Sequence, residues 1–276
     1  MKYRVDGINY YVDSWGNKEA FPFLLLHGFT GSATSWRKLK PDWEQTLNVF
    51  ALDIIGHGQS DSPIGVGRYE IEAAANDIAE LMDQIGIEQI DLLGYSMGGR
   101  LALTFAIKFP KKVRKLILES SSPGLRTAEE QEIRRLQDLK LATTIKDHGL
   151  AHFVDYWENI PLFQSQKRLP VAIREEIRNE RMKNSQDGLF YSLKGMGTGA
   201  QPSWWDELDA LNTPTLLITG SLDKKFCTIA EQMQESIKFS SVKTVFDCGH
   251  AIHVEKPKIF GTIVNEFLSN EKRKTF

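Results

Sequence analysis

Apolar and polar positions along the chain fall into short segments of two periods. Tyr3 and Val5 alternate with polar neighbours, Asp6-Gly7 has the chemistry of a tight turn, and Ile8, Tyr10 and Val12 resume the two-residue period. That pattern predicts a β-hairpin. After a break at Trp15-Gly16-Asn17, the run 23–26 is apolar without interruption and too short for a helix, as in a strand buried on both faces. A strand-loop-helix rhythm follows. Residues 49–52 read as a strand, and Ile71, Ala74, Ala75, Ile78, Leu81, Met82 and Ile85 recur at helical spacing. Residues 90–93 are the next strand; Met97, Leu101, Phe105 and Phe109 mark a helix that Pro110 stops, and 113–118 is again a strand.

The rhythm breaks between about 124 and 205. This stretch is charged and helical in pattern, and it holds Arg126, Arg134, Arg135, Arg168, Arg174, Arg178 and Arg181, seven of the chain's 13 arginines. A structureless loop of that length does not suit a compact domain, so a helical cap is expected. The rhythm then returns, with strands at 215–219 and 242–246 and helices marked by Ala230, Met233 and Ile237 and by Ile259, Ile263 and Phe267. The expected fold class is α/β: a mostly parallel central sheet with helices on both faces, its core formed by 1–123 and 206–276 and interrupted by a cap over 124–205. The charged tail from Asn270 reads as a frayed, solvated end.

A length of 276 residues, 41% apolar and 25% charged, suits a soluble globular protein, and a net charge of -2 gives no reason to expect nucleic acid as a partner. Neither a signal-peptide core nor a long apolar span is evident, so stable membrane insertion is not expected and a cytoplasmic location is. The two cysteines, Cys227 and Cys248, form no disulfide framework and no metal-ligand spacing, and they read as buried small apolar groups. The histidines match no zinc pattern and no dinucleotide fingerprint follows the first strands, so neither a metal nor an organic cofactor is required.

The chemistry is carried by the strand ends. Gly94-Tyr95-Ser96-Met97-Gly98 matches G-x-S-x-G with a strand before and a helix after, the context of a nucleophile elbow that lifts a serine above the sheet. Asp223 follows the strand at 215–219, and His250 follows the strand at 242–246 and Gly249. The chain order Ser96, Asp223, His250 is the one this elbow keeps, with the carboxylate orienting the imidazole that exchanges a proton with the serine. A cap role for Asp223 at the next helix and His253 as a competing base are the alternatives. Leu26-His27-Gly28-Phe29-Thr30-Gly31 supplies a loop for an oxyanion hole, built from the backbone N–H groups of Phe29 and Met97. His27 reads as a loop organiser, and Asp53-Ile54-Ile55-Gly56-His57-Gly58-Gln59-Ser60 as another strand-end loop whose glycines set the turn and whose polar side chains bond locally.

Together with the strings LLHGFTGSATSW and GYSMGGR, the cap strings SPGLRTAEEQEIRR, VDYWENIPLF and RMKNSQDG and the later GSLDKKF make the chain similar to the α/β-hydrolase superfamily. More narrowly, it resembles the 2-succinyl-6-hydroxy-2,4-cyclohexadiene-1-carboxylate synthases of menaquinone biosynthesis. The resemblance implies a cofactor-independent carbon-oxygen lyase that expels pyruvate from 2-succinyl-5-enolpyruvyl-6-hydroxy-3-cyclohexene-1-carboxylate, with Ser96 as a base rather than a nucleophile. It also implies a small polycarboxylate partner, met by Arg100, Arg134 and Arg181, with Tyr95 and Trp157 as further substrate contacts. A carboxylesterase or carbon-carbon bond hydrolase acting on a small acidic substrate, and a non-catalytic ligand-binding protein, are the competing expectations.

Overall fold

The alternating first segments pair as expected. In the computed structural model, which describes residues 1–270, β1 (Lys2–Val5) turns at Asp6-Gly7 into β2 (Ile8–Gly16), with Val5 opposite Ile8. Both turn residues have positive φ, 42° and 83°, the hand that a primed hairpin turn requires. The expected tail lies, beyond Asn270, outside the described residues.

The chain continues through β3 (Pro22–Leu26), a 3-10 helix Ala33–Leu39, α1 (Lys40–Trp43), β4 (Asn48–Leu52), α2 (Ile71–Gln84), β5 (Ile90–Tyr95), α3 (Met97–Lys108) and β6 (Val113–Glu119). The cap follows as α4 (Ala128–Trp157), a 3-10 helix Pro161–Arg168, α5 (Val171–Arg181) and α6 (Gln186–Met196). Then come β7 (Thr215–Gly220), α7 (Lys224–Ser236), β8 (Ser240–Val245), α8 (Ile252–Glu255) and α9 (Pro257–Ser269). The sheet order is β1-β2-β4-β3-β5-β6-β7-β8, antiparallel at β1-β2 and β2-β4 and parallel from β4 onward. This is an α/β-hydrolase fold.

Two apolar layers hold it. One face packs against α2 and α3 through Leu24, Leu92, Leu116, Ile78, Leu101 and Phe105; the other packs against the 3-10 helix, α1 and α9 through Leu25, Leu93, Ile117, Trp36, Trp43 and Phe260. α3 is buried continuously from Met97 to Ala106. Because the central strands are covered on both faces, their sequence reads as unbroken apolar runs rather than as alternation.

The cap is inserted between β6 and β7 and has its own small core, in which α4 packs on α6 through Ala142, Ile145, Phe153, Leu189 and Leu193. α4 breaks at Gly149, where φ 80° and ψ 168° leave the helical region, so it runs as two helical segments across a kink. Two local expectations fail. Strand β8 begins at Ser240 and stops at Val245; Phe246 is 86% exposed because the chain turns sharply at Asp247, with φ 50°. Cys248 is fully buried, but Cys227 is only half-buried on α7, where its Sγ donates to the Gly220 carbonyl of β7 at 3.3 Å.

Candidate active site

Ser96 is the single residue between the end of β5 and the start of α3, at φ 51° and ψ -107°. A non-glycine residue there is strained, and it persists because the surroundings over-determine it. A Cβ at Gly94 would collide with the Gly98 carbonyl, and one at Gly98 with the carbonyls of Leu26 and His27, so this sharp turn needs both glycines. The Ser96 N–H donates to the Glu119 carbonyl at 2.9 Å, tying the elbow to β6.

The loops after β7 and β8 bring the other two groups to Ser96. His250, 1% exposed, places Nε2 2.9 Å from Ser96 Oγ and Nδ1 2.6 Å from Asp223 Oδ2. Asp223 is also the N-cap of α7, its Oδ1 accepting from the Phe226 N–H at 3.4 Å. Its two oxygens therefore serve both roles at once, and the helix fixes the carboxylate that fixes the imidazole. The rings of Tyr95 and Phe226 flank His250, with centroids at 5.4 and 4.7 Å. His253 faces elsewhere: its Nδ1 lies 2.8 Å from the fully buried Glu119 carboxylate, and its ring packs on Trp36 at 4.7 Å.

The loop after β3 faces the same point. Met97 is the first residue of α3, so its N–H belongs to the group of donors that a helix leaves without an internal acceptor. Phe29 lines the same cavity as Ser96 and Met97. His27 organises this loop, with Nδ1 2.8 Å from the Gly28 carbonyl and Nε2 accepting from the Ile54 N–H at 3.0 Å. Those bonds fix the Nδ1–H tautomer, and burial lowers the pKa of His27 to about 4. His57, whose ring is 5.1 Å away, is lowered to about 3 by burial and by its neighbour. Both rings are neutral, and neither touches Ser96.

Ser96 and His250 open into a cavity of about 210 Å³ between sheet and cap, also lined by Tyr95, Arg100, Arg134, Trp157 and Phe163. Arg100 is 9% exposed, and among the described residues its Nη1 bonds only the neutral Gln201 Oε1, at 2.5 Å. Burial and the charge of Arg134 lower its pKa to about 10. Arg134 is half-exposed, with Nε 2.8 Å from Asp138 Oδ1, whereas its neighbour Arg135 turns outward to Glu132. The buried Trp157 Nε1 has no hydrogen-bond partner.

Arg181 is placed differently. It does not line the Ser96 cavity but stands behind Phe163, its guanidinium 4.9 Å from the ring centroid, in an adjoining cavity of about 440 Å³ that also borders Phe29 and Tyr95. It is 7% exposed, burial lowers its pKa, and among the described residues its side chain makes no hydrogen bond or ion pair.

Residues 22–257 match the family described as the alpha/beta hydrolase fold. A putative 2-succinyl-6-hydroxy-2,4-cyclohexadiene-1-carboxylate synthase of Bacillus subtilis (strain 168) is 44% identical over 268 residues, covering 96% of each chain. The chain belongs to the α/β-hydrolase fold family, within its 2-succinyl-6-hydroxy-2,4-cyclohexadiene-1-carboxylate synthase group. A synthase of the same name from Klebsiella pneumoniae subsp. pneumoniae is 31% identical over 86% of this chain and 90% of its own. The solved structure of MenH from S. aureus superposes with a TM-score of 0.89 at 34% identity, over 94% of this chain and 97% of its own. A thermophilic esterase from Thermogutta terrifontis, solved with malate bound, follows at 0.84 and 28%, over 97% and 98%.

Against this α/β-hydrolase frame, several cavity residues escaped the sequence reading. Ser120, Phe163, Ser192, Lys225 and Phe226 all line the space around Ser96. Ser120 had a readable signal: it directly follows β6, at the same sheet edge as the elbow, where open α/β sheets bind ligands. Its buried Oγ has no partner. Phe163 had none, because only the docking of the cap brings its ring against His250. Among the described residues no group of three or more His, Cys, Asp or Glu side chains is arranged to hold a metal ion, and no helix is long and apolar enough to cross a membrane.

Proposed function

We propose that this chain eliminates pyruvate from 2-succinyl-5-enolpyruvyl-6-hydroxy-3-cyclohexene-1-carboxylate, forming 2-succinyl-6-hydroxy-2,4-cyclohexadiene-1-carboxylate without a cofactor. Ser96 Oγ passes its proton to His250 Nε2 and takes one from the substrate ring. The freed C–H pair becomes a ring double bond while the C–O bond to the enolpyruvyl group breaks. His250 then returns its proton to the departing enolate, which becomes pyruvate, and Asp223 stabilises the imidazolium in between. The Phe29 and Met97 amides meet the oxygen on which negative charge builds.

The observation that carries this reading is the arrangement of buried cations around the Ser96–His250 pair. Among the described residues the Arg100 side chain bonds only a neutral amide, and that of the next-door Arg181 has no bonded partner. Burial outweighs the nearby carboxylates, Asp138 for Arg100 and Glu158 and Glu180 for Arg181, and a polycarboxylate substrate supplies further anions. Arg134 at the cavity wall and the unpartnered Trp157 N–H are two further contacts, and Tyr95 lies between the two cavities.

A small soluble substrate also fits the proposal of a cytoplasmic protein that binds no nucleic acid, its core (1–123 and 206–276) carrying the proton relay and its cap (124–205) most of the arginines. Incubation with the enolpyruvyl substrate should release pyruvate in step with absorbance from the conjugated diene; pyruvate without diene, or neither, overturns the assignment. Likeness to the Thermogutta esterase favours a second reading, in which Ser96 attacks an ester as nucleophile; hydrolysis of small acidic esters without elimination would select it.

A further inference from the structure

The loop that carries the Phe29 amide is held from the cap side by two polar residues that the relay does not use. Thr30, beside Phe29, adopts φ 69°, an uncommon conformation for a β-branched residue. Its carbonyl accepts from Asn184 Nδ2 at 2.8 Å, while Asn184 Oδ1 accepts from the Gly58 N–H at 3.2 Å, so one buried amide bridges two core loops from the turn after α5. Four residues earlier, Glu180 Oε1 accepts from three hydroxyls of the same core loop: Ser32 at 2.7 Å, Thr34 at 2.9 Å and Ser35 at 2.7 Å. Those hydroxyls belong to the N-terminal turn of the 3-10 helix, where Ser32 and Ser35 also form a reciprocal capping box. The Phe29 ring completes the seam edge-on against the cap residues Trp157 and Phe153, at 5.4 and 6.1 Å.

We propose that Glu180 and Asn184 are positioning residues, through which the seated cap sets the backbone of the Thr30 loop and aims the Phe29 amide at the developing oxyanion. Seating the cap and completing the oxyanion hole are then a single event. A residue that touches substrate acts on affinity, whereas this strap acts on the placement of a donor whose bond forms in the transition state. Asn184→Ala removes both bridging bonds and Glu180→Ala removes three; Glu180→Gln keeps an acceptor oxygen for the hydroxyls.

The inference rests on the assignment of the Phe29 amide to the oxyanion hole in the proposed reaction, so the test uses two readouts. Pyruvate release reports the elimination. Phosphonylation of Ser96 by a fluorophosphonate needs the serine, His250 and the hole, but not the substrate carboxylates. Per folded protein, Asn184→Ala should lower kcat by about ten- to a hundredfold with KM changed less than about twofold. Its phosphonylation rate should fall in parallel, and Glu180→Ala should behave likewise, with Glu180→Gln recovering most of that loss. The exposed Glu175→Gln on the same helix, whose side chain makes no hydrogen bond or ion pair among the described residues, should change neither readout. A wild type that phosphonylates but releases no pyruvate refutes the elimination while leaving the strap testable by labelling. Unchanged labelling and kcat in Asn184→Ala, or a loss confined to KM, overturns the strap.

Discussion

Arg181→Met should make the protein more stable and the enzyme worse. The wild-type guanidinium is 7% exposed, lies 4.9 Å over Phe163 and has no bonded partner among the described residues. Methionine keeps an unbranched, polarisable cover over the same ring. The exchange gives up a cation–π contact of about 0.5–2 kcal/mol. It also removes the desolvation cost of a buried cation that the charges of Glu158 and Glu180 offset only in part, which is several kcal/mol. A net gain of about 1–3 kcal/mol follows, and each kcal/mol raises Tm by about 2–4 °C in a chain of this size. Catalysis should move the other way, because charge-assisted hydrogen bonds to a substrate carboxylate contribute about 1.5–3 kcal/mol, so KM should rise about ten- to a hundredfold. Calorimetry of the unliganded protein measures the first effect. Steady-state kinetics on the polycarboxylate substrate and on a neutral ester measures the second, and only the former substrate should suffer. A lower Tm in the variant, or an equal loss on the neutral ester, would falsify the reasoning, since either would mean that the cation holds the fold together rather than waiting for an anion.

Ser96→Ala should abolish pyruvate release while leaving the fold intact, and Ser96→Gly should do the same while raising Tm, because only glycine relieves φ 51°; an equal Tm in the two variants argues against stored strain. Asp223→Asn keeps a cap for α7 but presents the wrong partner to His250 Nδ1, so kcat should fall by about 10³- to 10⁴-fold with little change in urea midpoint. Arg100→Ala should lower kcat/KM on the polycarboxylate by about a hundredfold and spare a neutral ester; equal losses on both would remove its role as a carboxylate clamp. The buried His27 and His57 have folded pKa values of about 4 and about 3, below the usual unfolded value near 6.5, so the stability they contribute is complete above pH 6.5 and is lost as the pH falls through those values. At pH 5 each ring should cost about 2 kcal/mol relative to pH 7.5, and urea unfolding at both pH values should show a smaller difference in His57→Gln than in the wild type.

Much of this site was legible because its chemistry is local to strand ends. A short apolar run, then Gly94-Tyr95-Ser96-Met97-Gly98, then a helical period place Ser96 without tertiary information, and the return of the strand pattern at β7 and β8 selects Asp223 and His250 from many acids and six histidines. The arginines resisted for a physical reason. Arg134 and Arg135 are adjacent on one helix, and only the packing of α4 against α6 decides that the first faces the cavity and the second turns to Glu132. Arg181 lies one ring farther out than a carboxylate clamp at Ser96 would be, because Phe163 from another cap segment stands between them. The helical turns at Ala33–Leu39 and Lys40–Trp43 were hidden by polar residues and Pro41, although Trp36, Leu39 and Trp43 are fully buried.

That asymmetry separates two kinds of information in the chain. The proposed proton transfer depends on atoms placed within a few tenths of an ångström, and the core fixes each partner twice: Ser96 by its turn and by Glu119, His250 by Asp223 and by flanking rings, Asp223 by His250 and by its helix. Recognition in the proposed reaction depends on where charges stand relative to the substrate, and most of those charges come from a cap tied to the core by polar bonds such as those of Glu180, Asn184, Glu176, Ser165 and Arg168 and by aromatic edges. The bonds of the proposed relay run among core residues alone, so the cap's charge pattern can change while they stay in place. In the proposed reaction, the anions that the cap arginines hold over Ser96 decide whether an acidic ring C–H or a scissile carbonyl is brought within its reach.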